Sequence, residues 1–128
     1  MNFTEAVTTA FQNYFNFQIR SRRSEYWYFS LFLFLVFIAT ELADMLLFNT
    51  VVSESGPLYV ITMLATFIPS LAVSVRRLHD IERSGWFLLL VLIPLIGWII
   101  LIYWMCQPGT SGQNRFGEDP VEAGAVAA

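Results

Sequence analysis

The sequence predicts an all-α integral membrane protein with three transmembrane helices and an N-terminal amphipathic helix at the membrane interface. The 128 residues are 56% hydrophobic and 16% aromatic, the apolar residues form three long runs, and nearly all the charge lies outside these runs. A domain of this size cannot bury so much apolar surface in its own core, so the excess faces lipid. We expect one polytopic membrane domain over residues 1–120, followed by a flexible tail over residues 121–128.

The N-terminal segment has the pattern of an amphipathic helix and not of a signal peptide, because its arginines follow the apolar residues. Asn2 and Glu5 have the spacing of a capping box. The apolar residues recur at helical spacing on one face, namely Phe3, Val7, Ala10, Phe11, Tyr14 and Phe15. Two placements stay open, a helix lying in the membrane interface and a helix packed against the spans.

Three apolar runs have the length of membrane-spanning helices, and we expect spans over residues 27–48, 58–75 and 86–104. The first run extends about 31 Å as a helix, close to the ~30 Å hydrocarbon thickness of a bilayer. Trp86 and Trp104 bound the third run, as in the aromatic belts of membrane proteins. Pro94 and Gly97 leave a rival arrangement for that run, a re-entrant pair of half-helices. We favour a single span, because each half-helix would leave backbone polar groups unsatisfied in lipid.

The distribution of arginine predicts the orientation, because basic residues concentrate in cytoplasmic segments. Three arginines precede the first span, none lies between the first and second spans, and three lie between the second and third. The N-terminus and the loop that contains "RRLHDIERSG" are therefore expected in the cytoplasm. With three spans, the C-terminus is expected in the periplasm.

The stretch "RRLHDIERSGW" at residues 76–86 gathers six ionisable side chains between two apolar runs. If the second helix continues past Val75, Arg76 and Arg83 lie on one face with Asp80 and can pair with it. Ser84 can cap the third helix. One interpretation is a loop that orients the protein and caps two helices.

The other interpretation is a cluster that binds an anionic lipid head group or a partner, since guanidinium groups bind phosphate oxygens in a bidentate manner. This candidate cluster contains Arg20, Arg22, Arg23, Arg76, Arg77, His79, Asp80 and Arg83.

Small hydroxyl residues and two carboxylates mark the spans. A stripe on the second span recurs every four residues and contains Thr62, Thr66, Ser70 and Ser74. We expect it to be a helix-packing seam whose hydroxyls also bond backbone groups freed by Pro69.

Glu41 and Asp44 lie near the far end of the first span, where a carboxylate inside lipid would suggest an ion or proton path. The alternative, which we favour, is that the helix has already left the membrane there.

Composition disfavours several function classes. A net charge of −3 provides no basic field for nucleic acid. One histidine and one cysteine cannot supply the usual four zinc ligands within one chain, and we expect no cofactor. The stretch "GTSGQNRFG" lacks the GK[ST] ending of a P-loop and is typical of an ordered turn. His79 with Asp80 is the best enzyme candidate, as an acid–base pair acting on a lipid phosphate.

Four segments together carry a family resemblance. They are "RSRRSEYWYF", "RRLHDIERSGW", "LIPLIGWI" and "GTSGQNRFGEDP". In this order, from about Phe17 to Pro120, they resemble the bacterial inner-membrane family catalogued as domain of unknown function 805, which includes the small YhaH-like proteins. The resemblance implies a multi-pass protein of the bacterial inner (plasma) membrane and no established activity.

We therefore expect a small, non-enzymatic inner-membrane protein that binds anionic lipid or a partner protein through an arginine-rich cytoplasmic face. The expected partners are membrane lipids, a second copy of the chain or another protein, and not nucleic acid. One alternative is a homo-oligomeric channel or transporter component that uses Glu41 and Asp44. A less favoured alternative is a lipid-phosphate enzyme that uses His79 and Asp80.

Overall fold

The computed structural model describes residues 1–51 and 54–122, and within these ranges every regular element is a helix. The elements are α1 (Phe3–Gln12), α2 (Arg23–Phe48), α3 (Pro57–Asp80), a 3₁₀ helix (Gly85–Leu92) and α4 (Ile96–Cys106). The prediction of an all-α protein is confirmed for this part of the chain. The predicted flexible tail lies outside the described residues, except for Val121 and Glu122.

α1 is the amphipathic helix that the sequence predicts, and it packs against α2. Asn2 Oδ1 accepts a hydrogen bond from the Glu5 N–H at 2.8 Å, and the Glu5 carboxylate accepts one from the Asn2 N–H. The predicted capping box is therefore confirmed. Ala10 is fully buried, and Phe11 packs edge-on against Phe29 with 5.5 Å between ring centroids. The structure therefore has α1 packed against α2, as one of the two placements expects.

α2 and α3 are long and apolar enough to cross a membrane. They pack along each other, but only 6% of the most apolar window of α2 and 22% of that of α3 are buried. The core helix of a soluble protein would bury such a surface, so these outward faces are suited to contact with lipid. Both predicted helices are confirmed. α2 begins one turn before residue 27, and α3 continues about one turn past residue 75.

Asp44 joins the far end of α2 to the start of α3. Its side chain is fully buried, and its two carboxylate oxygens accept hydrogen bonds from the N–H groups of Leu58 and Tyr59, each at 3.0 Å. The first turn of a helix cannot satisfy these N–H groups itself, and negative charge there complements the helix dipole. Asp44 therefore caps α3 from a neighbouring helix, a role that neither interpretation of this carboxylate from the sequence included.

Pro69 interrupts the hydrogen bonding of α3 without ending the helix. Proline has no N–H, so the carbonyl of Ala65, four residues earlier, loses its helical donor. The Tyr14 hydroxyl donates a hydrogen bond to that carbonyl. The stripe hydroxyls of Thr66 and Ser74 donate to other carbonyls of α3. The prediction that the stripe satisfies the backbone freed by Pro69 is therefore wrong.

The third apolar run is not one helix, so the prediction of one continuous helix over residues 86–104 is wrong. It consists of the 3₁₀ helix and α4, joined by a turn at residues 93–95. The Phe87 ring near its start packs edge-on against Trp104 near its end, with 5.4 Å between ring centroids. In a single α-helix these two residues would lie about 26 Å apart. The run is a helical hairpin, so the pair of half-helices that Pro94 and Gly97 indicated is present.

Local sequence explains the reversal of direction. Pro94 cannot continue a helix, and Leu95 has a positive φ of 64°. Gly97 lets the two limbs meet, because a Cβ atom there would lie 1.8 Å from a carbonyl oxygen of the 3₁₀ helix. The Trp98 indole N–H donates to the Val91 carbonyl at 2.8 Å. A side chain of one limb thus satisfies a backbone group of the other.

The hairpin brings the C-terminal segment back to the end of the molecule where α2 begins and α3 ends. The Thr110 N–H donates to the Asp80 carbonyl at 2.7 Å, and Arg20 Nη1 donates to the Gly112 carbonyl at 2.6 Å. Residues 114–117 form a tight turn closed by two backbone hydrogen bonds, in agreement with the predicted ordered turn. Because the third run folds back, the N- and C-terminal segments lie at the same end of the molecule. The sequence predicted that they lie on opposite sides.

Candidate functional site

Buried charge gathers at the end of the molecule where α2 begins and α3 ends. The side chains of Arg20, Arg76 and Arg77 have no exposed surface, and the carboxylates of Glu25 and Asp80 are almost as deeply buried. Unpaired charges would be costly in a protein interior, so each needs opposite charge and hydrogen bonds. These side chains form two networks, which we name after Arg76 and Asp80.

The Arg76 network ties the N-terminal segment to α2 and α3. Arg76 Nη2 lies 2.7 Å from Glu25 Oε2, and Arg76 Nε donates to Ser21 Oγ at 2.7 Å. Arg76 Nη1 donates to the carbonyls of Asn13 and Asn16, each at 2.9 Å. Four acceptors thus surround one guanidinium, whose planar fork presents five N–H donors in fixed directions.

The Asp80 network holds one carboxylate between two arginines. Arg20 Nη2 lies 2.9 Å from Asp80 Oδ1, and Arg77 Nη1 lies 3.3 Å from Asp80 Oδ2. Arg20 Nε also donates to Oδ1 at 3.0 Å, which strengthens that pair. The predicted pairings of Asp80 with Arg76 and Arg83 are wrong. Arg76 pairs with Glu25 on α2, and Arg83, which follows the end of α3, lies over the Trp104 ring.

Arg20 links Asp80 to the C-terminal segment. It donates to the carbonyls of Gly112 and Gly117 at 2.6 and 3.3 Å. Gly109 approaches Asp80 from another side, and a Cβ atom there would lie 2.1 Å from Oδ2. The segment can therefore close over the carboxylate only with glycine at this position.

Three donors bind the last carbonyls of α4, which no later N–H group of the helix satisfies. Arg77 Nη2 and the indole N–H of Trp27 donate to Met105, at 3.1 and 3.0 Å. Arg23 Nη1 donates to Cys106 at 3.0 Å. Cations here also complement the negative end of the helix dipole. α4 is thus anchored to both α2 and α3.

His79 joins the N- and C-terminal segments. Its Nδ1 atom lies 3.1 Å from the Ile19 carbonyl oxygen, and its ring stacks on Phe116 with 3.9 Å between centroids. Its carbonyl accepts a hydrogen bond from Asn114 Nδ2 at 3.0 Å. An acid–base catalyst needs a ring nitrogen directed at its substrate. Here Nδ1 faces backbone, a ring face is covered, and Asp80 is occupied by two arginines.

Asp119 fastens the end of the C-terminal segment. The Gly112 N–H donates to its Oδ2 at 3.0 Å, and the Val121 N–H donates to its Oδ1 at 2.9 Å. Burial acts to raise the pKa of this carboxyl, but hydrogen bonds from Gly112, Val121 and Glu122, together with the nearby positive charge of Arg20, outweigh it, so the pKa lies below its ordinary value of 3.8. The carboxylate is therefore ionised near neutral pH, and these bonding partners are neutral N–H groups.

A groove of about 900 Å³ opens between the first turns of α2 and the C-terminal segment. Its lining includes polar Arg22, Arg23, Ser24 and Asp119 and apolar Trp27 and Leu31. Arg22 makes no side-chain capping bond at the start of α2. Ser24 Oγ is buried and has no hydrogen-bond partner among the described residues. The groove thus combines unused polar groups with an apolar wall.

Arg83 lies outside both networks. Its guanidinium carbon lies 4.1 Å from the centroid of the Trp104 ring, a cation–π geometry. Ser84 Oγ accepts a hydrogen bond from the Trp86 N–H at 3.3 Å, which confirms the predicted cap. The predicted cluster is therefore divided: Arg20, Arg76, Arg77, His79 and Asp80 are buried in internal contacts, and Arg22, Arg23 and Arg83 lie at the surface.

The other predicted residues lie along α2 and α3. Among the stripe residues Thr62, Thr66, Ser70 and Ser74, Thr66 is buried and the others are partly buried. The stripe stays a predicted packing seam. Glu41 lines a shallow apolar groove on α2 that extends to Tyr59, and its Oε1 atom is buried without a hydrogen-bond partner among the described residues.

Sequence reasoning missed Glu25, Ser21 and Trp104 as parts of this site. Glu25 is the one acidic residue in "RSRRSEYWYF", which is a signal that it pairs with a cation. Its partner Arg76 lies 51 residues away, a separation that no helical periodicity reveals. The return of Trp104 to this end depends on the hairpin, which we did not favour from the sequence.

Comparison with known proteins assigns the family. A family model described as a protein of unknown function (DUF805) matches residues 14–118. The chain belongs to this family. The DUF805 match contains the Arg76–Glu25 pair and the Arg20–Asp80–Arg77 set, and it leaves out α1. The family resemblance carried by the four sequence segments is thereby confirmed.

Two curated relatives are similar over most of their length. The inner membrane protein YhaH of Escherichia coli (strain K12) is 46% identical over 109 residues, which cover 85% of this DUF805 chain and 90% of the relative. The inner membrane protein YhaI of the same strain is 43% identical over 109 residues, which cover 85% of this chain and 89% of the relative. No solved structure matches the chain.

Proposed function

We propose that this DUF805 chain is a multi-pass inner-membrane protein with two spanning helices, α2 and α3, and with its N- and C-terminal segments both in the cytoplasm. Its relatives are named inner membrane proteins. The arginines before α2 and at the end of α3 favour the cytoplasm for that end of the molecule. The bonds from Arg20 to Gly112 and Gly117 support the same side for the C-terminal segment.

The hairpin enters the membrane from the cytoplasmic side without crossing it. Its 3₁₀ limb has 8 residues and its α4 limb has 11, so each extends about 16 Å at roughly 2.0 and 1.5 Å per residue. Each limb therefore reaches about half of the ~30 Å hydrocarbon thickness. Leu92, Leu95 and Ile99 are exposed on the limbs and tip, as suits contact with the acyl chains of one leaflet.

The role that the geometry supports best is non-enzymatic binding of anionic lipid at this cytoplasmic end. The observation that carries it is the division of the arginines. Arg22 and Arg23 stay at the surface and line one groove with the exposed ring of Trp27. Arg83, also outside the buried networks, lies over the rings of Phe87 and Trp104. Tryptophan is typical of the membrane interface, and cations there attract anionic head groups. The buried networks hold the two terminal segments on the helices, a separate structural role.

Two alternatives have less support. A lipid-phosphate enzyme that uses His79 and Asp80 lacks an accessible acid–base pair, since His79 is stacked on Phe116 and Asp80 is bonded to two arginines. A homo-oligomeric channel that uses Glu41 and Asp44 loses Asp44 to the capping of α3. Glu41 alone would have to line such a path.

Thiol labelling in intact cells tests the topology. In a Cys106→Ser background, single cysteines in place of Ser84 and Ser111 should react with a membrane-impermeant reagent only after lysis. A cysteine in place of Ser55, beyond the far end of α2, should react from outside. Position 111 is decisive, because three spans would place it outside. Labelling of position 111 in intact cells would overturn the two-span proposal.

Lipid retention tests the binding role. After purification in mild detergent, native mass spectrometry should find anionic phospholipid on the parent protein and several-fold less on the Arg22→Gln/Arg83→Gln double variant. Arg115→Gln is the matched control, because Arg115 is exposed but lies over Phe116 and does not line the groove. Equal retention by all three proteins would contradict the proposal.

A further inference from the structure

We propose that the groove beside the start of α2 binds the head group of a phosphatidylethanolamine lipid, with its phosphate on Arg22 and Arg23 and its ammonium on Asp119. This inference rests on the proposed binding of lipid at the cytoplasmic end of the molecule, and it assigns one site there, the groove, to a zwitterionic head group. The groove of about 900 Å³ has room for a head group and the first part of an acyl chain.

The cationic wall of the groove has donors that the fold does not use. Arg22 makes no capping bond, and Arg23 uses Nη1 for the Cys106 carbonyl, so its second amino group is available for another acceptor. Ser24 Oγ is buried without a partner among the described residues, and a hydroxyl donates well to a phosphate oxygen. The uncapped first turn of α2 adds partial positive charge at the same place.

The opposite wall supplies one available negative charge. Asp119 is bonded by the N–H groups of Gly112 and Val121, which are neutral. Asp80 also lines the groove, but Arg20 and Arg77 already bind its two oxygens. A ligand with one phosphate and one primary ammonium matches this arrangement. Arg20 is the nearby cation of Asp119, but it already pairs with Asp80 and donates to the Gly112 carbonyl. A head group with negative charge alone would leave Asp119 with this shared cation and no charged partner of its own.

The groove continues onto the lipid-facing side of α2. Trp27 and Leu31 lie one turn apart along it and are 40% and 46% exposed. The order from Arg22 through Trp27 to Leu31 runs from charged to amphipathic to aliphatic. Head group, glycerol and acyl chain have the same order in a phospholipid, so the gradient favours a membrane lipid over a water-soluble phosphoethanolamine.

The test titrates the purified parent protein with lipids that share acyl chains and differ only in methylation of the amine, read by native mass spectrometry. Affinity should fall about tenfold from phosphatidylethanolamine to phosphatidylcholine, the equivalent of one charge-assisted hydrogen bond, because a quaternary ammonium has no N–H to donate. The monomethyl lipid should lie between them. Glycerophosphoethanolamine, which has the same head group without acyl chains, should not compete at equal concentration.

Two substitutions test the contributions of the phosphate and the ammonium separately. Asp119→Asn should remove most of the difference between the two lipids, because the ammonium N–H groups lose their charged acceptor. Arg22→Gln should weaken both lipids by a similar factor and keep the difference, because both carry the phosphate. Glu118→Gln is the matched control, since it removes the neighbouring carboxylate, which is exposed and does not line the groove.

The lipid series on the parent protein decides the matter even if a variant fails to fold. Equal affinity for the ethanolamine and choline lipids, or full competition by glycerophosphoethanolamine, would overturn the assignment of the groove. If the parent retains anionic phospholipid and ignores amine methylation, the groove assignment fails while the lipid-binding role stands. If the parent retains no phospholipid of any class, both fail.

Discussion

Replacing Arg76 by methionine tests whether its buried pair with Glu25 holds the N-terminal segment in place. The Arg76 guanidinium is fully buried and bonds to Glu25, Ser21, Asn13 and Asn16. Its removal leaves the Glu25 carboxylate buried without a cation, and three further acceptors lose their donor. Breaking a buried ion pair by removing one partner costs about 3–5 kcal/mol. We expect the free energy of unfolding of Arg76→Met to fall by this amount.

The companion variant, Glu25→Gln, removes the negative charge and keeps an acceptor for Arg76. Three of the four acceptors are untouched and an amide oxygen remains as the fourth, so we expect a smaller loss of about 1.5–3 kcal/mol, because the bond to Arg76 loses the charge of its acceptor. The Arg76→Met/Glu25→Gln double variant has no buried charge of either sign at this place. Its loss should therefore fall short of the sum of the single losses by about 2 kcal/mol.

Chemical unfolding in mixed detergent micelles, followed by tryptophan fluorescence, measures these losses. Arg115→Met is the control for removal of an exposed arginine, and it should cost less than about 1 kcal/mol. Trypsin cleavage after Arg20 should also accelerate in Arg76→Met, because the segment before it loses the bonds from Arg76 to Asn13 and Asn16. Single losses that add to within about 0.5 kcal/mol in the double variant would refute the pair.

Two further predictions concern the spans. Tyr14→Phe should lower the unfolding free energy by about 1 kcal/mol. In a Pro69→Ala background the same change should cost almost nothing, because residue 69 can again donate to the Ala65 carbonyl. An equal loss in both backgrounds would contradict this reasoning. Asp44→Asn should cost about 1–2 kcal/mol, as for loss of a helix cap, because an amide oxygen can accept only one of the two α3 N–H bonds well. Glu41→Gln is its control on the same helix, and a loss no larger than that control would remove the capping role.

Local patterns in the sequence were sufficient to predict α1, α2 and α3. The first two apolar runs predict α2 and α3, since a helix of their length matches the thickness of a bilayer whatever its neighbours are. Asn2 and Glu5 predict the start of α1, because both halves of a capping box lie within one turn. The Gly-rich "GTSGQNRFG" predicts an ordered turn, because its turn-forming residues also lie close together in the chain. Each of these features depends on residues a few positions apart.

The third apolar run shows where a local pattern stops being decisive. Pro94 and Gly97 are compatible with a kinked span and with a hairpin, and the composition of the run suits lipid in either form. Contacts with the rest of the chain decide between them. Arg77 and Trp27 bind the last carbonyls of α4 at the end of the molecule where the 3₁₀ helix begins, and the packing of α2 against α3 brings these two donors together.

The partners of the buried charges were likewise decided by tertiary structure. On α3 alone, Asp80 is within reach of Arg76, and the helical spacing predicts that pair. A single carboxylate on its own helix supplies too few acceptors for a buried guanidinium with five N–H donors. The folded chain surrounds Arg76 with Glu25, a hydroxyl and two backbone carbonyls, and it leaves Asp80 to Arg20. The sequence determined where the arginines lie, and packing determined which acceptors they bind, because burial favours the arrangement that satisfies the most donors.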